Sequence, residues 1–215
     1  MKKRAVLFDL DGTLLWTVGD LADATNHALA EFGYPGWSDA QIEQMIGRGV
    51  ADLIARALPG GFDNPEHGAV LASFKRWYNG HAAVRTLPYP GVPELLEHLH
   101  GEGLRLGLVT NKYQAGAEGL MARFFPGLLD AVVGDDPSHA RKPDPEGVAL
   151  ALSALGVGAE EAIYVGDTEL DLETARNAGL DCVCVSWGYR GRAALEALGV
   201  PRIADTAEEL EALLR

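Results

Sequence analysis

Asp9 and Asp11, one residue apart, close the apolar run Val6-Leu7-Phe8 and are followed by Gly12-Thr13-Leu14. So apolar a run reads as a buried strand of a parallel sheet. Acids at its C-terminal end lie where open α/β sheets bind their ligands. Burying two neighbouring carboxylates is costly unless a cation or a proton compensates them. The pair therefore asks for a metal, and for one carboxyl that carries a proton while its neighbour stays ionised. That is the outline of a phosphoryl-transfer centre with an aspartate nucleophile.

The elements that would position such a centre follow from the rest of the chain. Apolar runs at 104–109, 131–133, 162–165 and 182–185 alternate with helical patterns at 92–100, 145–155, 170–178 and 206–214. This alternation signals βαβ units and predicts an α/β, doubly wound parallel sheet. Residues 17–87 break the rhythm. Val18, Leu21, Ala22, Ala28, Leu29 and Phe32 recur near helical spacing, Ser38-Asp39-Ala40-Gln41 reads as a capping box for a second helix that Gly47 ends, and two more helical segments follow at 50–58 and 65–79. The expected organisation is a core of residues 1–16 and 88–215 carrying a helical insertion, 17–87, that works as a lid.

A net charge of −13 over 215 residues argues against nucleic acid or an anionic membrane as partner, since both select basic patches. It leaves room for an anionic small molecule held by a few local cations. No apolar stretch reaches 18 residues and no signal sequence develops, so the expectation is a cytoplasmic protein, monomeric or homodimeric, with no membrane contact. The two cysteines, Cys182 and Cys184, alternate on a strand and read as buried thiols rather than a disulfide.

Four motifs fall in order at element ends: Asp9-x-Asp11-Gly12-Thr13, Thr110-Asn111-Lys112, Lys142-Pro143-Asp144-Pro145 and Gly166-Asp167-x-x-x-Asp171. Together they resemble the haloacid dehalogenase superfamily, over nearly the whole length. The resemblance implies a Rossmann-like three-layer core with an inserted helical cap, Mg²⁺ as cofactor, and phosphate-ester chemistry through a phosphoaspartyl intermediate on a small phosphorylated substrate. It implies Asp9 as nucleophile and Asp11 as general acid and base. Thr110 and Lys142 would hold the transferred phosphoryl group. Asp9, Asp167 and the Asp11 main-chain carbonyl would hold the metal, with Asp171 supporting. Gly12 and Asn111 would line the substrate, although Asn111 and Lys112 also read as residues that shape their loop. Other readings stand beside these: Thr110-Asn111 suits a helix N-cap, Lys142 a solvated surface position, and Asp171 a first-turn acid that serves the helix dipole.

Ile46-Gly47-Arg48-Gly49-Val50 in the insertion and Ser186-Trp187-Gly188-Tyr189 after a late strand look like phosphoglycolate phosphatases. A two-carbon substrate offers only a carboxylate beyond its phosphate, and an arginine binds carboxylate with two parallel hydrogen bonds, so Arg48 is the expected contact. Trp16-Thr17 departs from that subgroup, where Asp-Ser is usual. A β-phosphoglucomutase-like phosphotransferase, a sugar-phosphate phosphatase and a pyrophosphatase share the four motifs. A non-catalytic binding protein on the same fold is the reading from a different class.

Overall fold

The computed structural model describes residues 3–215. The chain divides into two compact units: Trp16–Leu87 forms one, and Pro88–Arg215 with the described residues up to Leu15 forms the other.

The larger unit is built on six strands, β1 (Ala5–Phe8), β4 (Arg105–Tyr113), β5 (Ala131–Asp135), β6 (Ala162–Gly166), β7 (Asp181–Val185) and β8 (Ile203–Ala204). Two short strands, β2 (Leu15–Trp16) and β3 (Leu87–Pro88), carry the chain out of and back into this unit and pair in a sheet of their own. The six-stranded sheet has the order β5-β4-β1-β6-β7-β8 and every recorded pairing in it is parallel. From the central β1 the chain steps to β4 and β5 on one side, then returns to build β6, β7 and β8 on the other. Strand order thus reverses around β1, the place where such sheets bind ligands.

All four side chains of β1 are fully buried; because successive residues point to opposite faces, both faces of the sheet are covered. On one face Ala5, Leu7, Tyr164, Cys182 and Cys184 pack with residues of α7 (Glu146–Leu155), α8 (Glu169–Asn177) and α9 (Gly191–Ala197). Both thiols belong to this core; hydrogen bonding to Cys182 and burial push the Cys184 thiol far up and keep it protonated. Helices α5 (Val92–Gly101) and α10 (Ala207–Leu214) pack on each other, α5 against β4 and α10 against β7 and β8, and α6 (Gln114–Phe124) lies along β4 and β5.

The pattern does not predict helices α6 and α9 or the short strands β2, β3 and β8; they are short or broken by glycines such as Gly116 and Gly119, and periodicity over so few residues is weak. β4 also runs past its expected end at Val109 through Tyr113. Between Val109 and Tyr113 it advances four residues while β5 advances two, from Val133 to Asp135. The surplus is a bulge at Thr110-Asn111-Lys112, which bends the strand and re-aims its side chains.

The Trp16–Leu87 unit is helical: α1 (Val18–Glu31), α2 (Asp39–Glu43), α3 (Val50–Ala57) and α4 (His67–His81). Ser38 and Gln41 form the expected capping box at the start of α2, but the helix ends at Glu43, before Gly47. Phe74 and Tyr78 of α4 are buried, stacked at 5.3 Å, and α4 packs along α1. Asp20, 1 % exposed in the first turn of α1, accepts hydrogen bonds from the backbone N–H groups of Val84, Arg85 and Thr86 at 3.1, 2.8 and 2.9 Å and from the Thr86 hydroxyl at 2.6 Å.

Candidate active site

Asp9 lies one residue beyond β1, its N–H donating to Val165 O of β6 at 2.9 Å. The register pairs Phe8 with Leu108 on one side and Val165 on the other. The carboxyl ends of β1, β4 and β6 therefore lie side by side, with Asp9 and Asp11 past β1, Thr110 in the second half of β4 and Asp167 just past β6. Asp9, Asp167 and Asp171 bring carboxylate oxygens within 4.8 Å of one another, all buried.

Two ammonium groups answer them. Lys142 Nζ lies 2.8 Å from Asp9 Oδ1 and 2.8 Å from Asp171 Oδ1, with the Tyr164 hydroxyl at 3.2 Å. Its side chain is 4 % exposed, which sets aside the solvated-surface reading. Lys112 Nζ lies 3.2 Å from Asp11 Oδ1. Among the described residues, four carboxyl groups, Asp9, Asp11, Asp167 and Asp171, thus meet two ammonium groups, so that with all four ionised the site would carry an excess of two negative charges. Burial, only partly offset by Lys142, pushes the Asp9 carboxyl up to about 6. Burial and the charges of Asp171 and Asp9 push Asp167 well above the usual range. Lys142, flanked by Asp171 and Asp9, is held well above the ordinary lysine value despite the cost of its burial.

A divalent cation would discharge this excess. Asp9 Oδ1 is buried and, beyond the ion pair, has no hydrogen bond of good geometry, so it retains capacity for a ligand. The donors are hard oxygens, which suit Mg²⁺ or Ca²⁺. The residues fit a divalent metal.

The supporting contacts are specific. Asp167 Oδ1 accepts from Thr13 Oγ1 at 3.1 Å and Oδ2 from Tyr189 N–H at 2.8 Å. The Trp187 indole donates to Thr13 O at 3.0 Å, so the turn after β7 pins the loop after β1. Gly12 has φ +90°, and a Cβ there would fall on the Asp167 carboxylate; a Cβ on Gly188 would strike Asp167 and Gly12 O. Asp171 Oδ2 accepts from the N–H groups of Asp167 and Thr168 at 3.2 and 3.1 Å and from Thr168 Oγ1 at 2.7 Å. Asp171 is therefore both a helix-capping acid and a brace for Lys142.

At the two positions expected to line the substrate, Gly12 and Asn111, the structure records contacts within the scaffold. The Gly12 N–H donates to Leu15 O at 3.0 Å, and the absence of a side chain leaves room for Asp167. The Asn111 amide bonds Lys142 in both directions, accepting from its N–H at 2.9 Å and donating to its carbonyl at 3.3 Å; it ties the Lys142 loop to β4. Thr110, 5 % exposed, lies inside β4 rather than at a helix cap: the N-cap of α6 is Tyr113. Arg48 belongs to the helical unit, exposed between Gly47 and Gly49. Spacing along the sequence does not mark Thr13, Lys112, Tyr164, Thr168, Gly188 or the Tyr189 amide as site residues; Thr13, Lys112, Gly188 and Tyr189 stand inside the quoted motifs, and that adjacency is the signal they carry.

The sequence matches the haloacid dehalogenase-like hydrolase family over residues 6–185. It is 41% identical over 189 residues to a phosphoglycolate phosphatase of Cereibacter sphaeroides, with 86% of each chain covered. It is 38% identical to the phosphoglycolate phosphatase of Rhodospirillum rubrum, covering 94% of this chain and 87% of that one. It is also 36% identical to the N-acetylmuramic acid 6-phosphate phosphatase of Pseudomonas aeruginosa, covering 88% and 84%. Among solved structures, a protein of Lactobacillus delbrueckii subsp. bulgaricus, provisionally named a phosphoglycolate phosphatase, superposes with a TM-score of 0.93 at 33% identity over 100% of this chain and 99% of that one. On the family match over residues 6–185 and these identities, the chain belongs to the haloacid dehalogenase-like hydrolase family.

Proposed function

We propose that this protein is a Mg²⁺-dependent phosphatase that hydrolyses 2-phosphoglycolate through a phosphoaspartyl intermediate. The observation that carries the reading is Asp9: a buried carboxylate at the carboxyl end of the central strand, paired at 2.8 Å with a buried lysine and ringed by further acids. In the proposed first step an Asp9 oxygen forms a bond to phosphorus as the ester P–O bond breaks, and Asp11 gives its proton to the leaving oxygen. In the second, Asp11 takes a proton from water as the water oxygen attacks phosphorus, releasing phosphate and restoring Asp9. Lys142 and the Thr110 hydroxyl hold the phosphoryl oxygens through both steps. Asp9, Asp167 and the Asp11 carbonyl would hold the metal, whose charge offsets that of the phosphoryl group.

The substrate follows from the relatives and from Arg48. Both names among the relatives, phosphoglycolate and N-acetylmuramic acid 6-phosphate, describe phosphorylated acids, and a bidentate guanidinium suits a carboxylate. In this proposal Trp16–Leu87 is the cap, Arg48 is its contact to the substrate carboxylate, and the enzyme is cytoplasmic. The Pseudomonas relative makes a phosphorylated sugar acid the second candidate substrate.

The test is phosphate release with Mg²⁺ from 2-phosphoglycolate, N-acetylmuramic acid 6-phosphate, hexose phosphates, pyrophosphate and p-nitrophenyl phosphate. Asp9→Asn should abolish release from all of them. Arg48→Ala should raise KM for 2-phosphoglycolate at least about tenfold, the loss of a charged hydrogen-bonded contact, and leave p-nitrophenyl phosphate little changed. Wild-type activity no higher than that of Asp9→Asn would refute the phosphatase reading; equal losses on both esters would remove the role of Arg48.

A further inference from the structure

Lys112 has no part in the mechanism above, yet its ammonium stands with that of Lys142 against the acids of the site. Its side chain is 3 % exposed, and Nζ lies 3.2 and 3.5 Å from the two oxygens of Asp11. A buried ammonium is retained only where it is compensated, and the geometry here is a fork that holds both carboxylate oxygens at once. The fold goes to some length to deliver it. Lys112 sits in the bulge of β4, and its N–H is held by Thr110 Oγ1 at 3.3 Å. On the neighbouring strand Gly134 leaves room for the bulge: a Cβ there would lie 2.8 Å from Lys112 O and 2.7 Å from Gln114 Cα. A bulge re-aims the side chains it carries, and the two extra residues fall at Thr110-Asn111-Lys112, toward the carboxyl end of β4.

Resting on the phosphatase reading, we propose that Lys112 is a positioning residue for Asp11. It fixes the rotation of the Asp11 carboxyl so that one oxygen faces the leaving-group oxygen of the substrate, and it holds that aim through the transfer. Lys142 serves the nucleophile and the phosphoryl group; Lys112 serves the proton. The two lysines divide the two halves of the chemistry between them.

The consequence is a dependence on the leaving group. An alkyl ester such as 2-phosphoglycolate cannot expel its oxygen without a proton, whereas p-nitrophenolate leaves without one. The quantity to compare is kcat/KM, which reports events only up to transfer onto Asp9. Lys112→Met, of similar length and uncharged, should lower kcat/KM for 2-phosphoglycolate by about 30-fold or more, within the usual range for a general acid, and for p-nitrophenyl phosphate by less than about threefold. Lys112→Arg, which keeps the charge, should recover most of the alkyl-ester activity. Melting temperatures of the variants show whether they are folded, and Lys112→Gln, also uncharged, carries the comparison if Lys112→Met is not.

Equal losses on the two esters would make Lys112 a structural lysine and overturn the proposal. So would a rise in KM for 2-phosphoglycolate at unchanged kcat, which would make Lys112 a contact to the substrate carboxylate. A wild type that hydrolyses neither ester sinks the phosphatase reading and this role with it, whereas an active wild type with equal losses overturns this role alone.

Discussion

At the scale of single residues the site is defined by a surplus of acid. Asp167 is fully buried beside Asp9 and Asp171, and its two oxygens are used by Thr13 and Tyr189. Asparagine keeps both contacts, because its carbonyl can accept from Tyr189 and its amide can donate to the Thr13 hydroxyl. Asp167→Asn should therefore stabilise the metal-free protein by about 1–3 kcal/mol at pH 8, as replacing an uncompensated buried charge does, while removing metal-dependent activity. The same acids set a pH dependence. Asp9 is raised to about 6 and Asp167 well above the carboxylate range, so the folded state binds more protons than the unfolded chain above about pH 4. Stability of the metal-free protein should then fall as pH rises through 6 and beyond. Urea unfolding in chelator at pH 5 and pH 8, for wild type and variant, measures both effects. A wild type more stable at pH 8, or a variant no more stable than wild type there, contradicts the charge balance drawn above.

At the scale of elements, two local devices carry most of the positioning. One is the bulge in β4, which places Thr110, Asn111 and Lys112 together and lets Asn111 clasp the Lys142 backbone from 31 residues away. The other is the first turn of α1, where Asp20 gathers three backbone N–H groups and a hydroxyl from 84–86. Arg85 closes the same junction, pairing with Asp23 at 3.0 Å and Asp39 at 2.5 Å. The Arg85 pairs are well exposed and contribute little; the buried Asp20 contributes far more, since its removal strands several donors. Asp20→Ala should cost about 2–4 kcal/mol, one to three for each group left unsatisfied and partly recovered by water. Faster amide exchange at Val84, Arg85 and Thr86 should accompany it. Unaltered exchange at those three amides would show that the contacts do not hold the segment.

At the scale of the whole molecule, two compact units share one chain and the acids lie in only one of them. Divalent cation binding to the folded state should therefore stabilise the larger unit by mass action, about 2.7 kcal/mol at a hundredfold excess over Kd. A melting temperature that rises with Mg²⁺ in wild type but not in Asp167→Asn checks this, and an equal rise in both would place the cation elsewhere. No helix among the described residues is long and apolar enough to cross a membrane. The alternation of strands and helices, the helical insertion and the positions of Asp9, Asp11 and Asp167 just past strand ends were legible in the sequence, because period and punctuation are properties of neighbouring residues. Tertiary structure alone decided that Lys112 meets Asp11 across 101 positions, that Trp187 and Tyr189 secure Thr13 and Asp167, and that Gly12 and Asn111 serve the scaffold. Those contacts depend on which strands become neighbours, on one irregular register and on where a Cβ has room; spacing along a chain encodes none of the three.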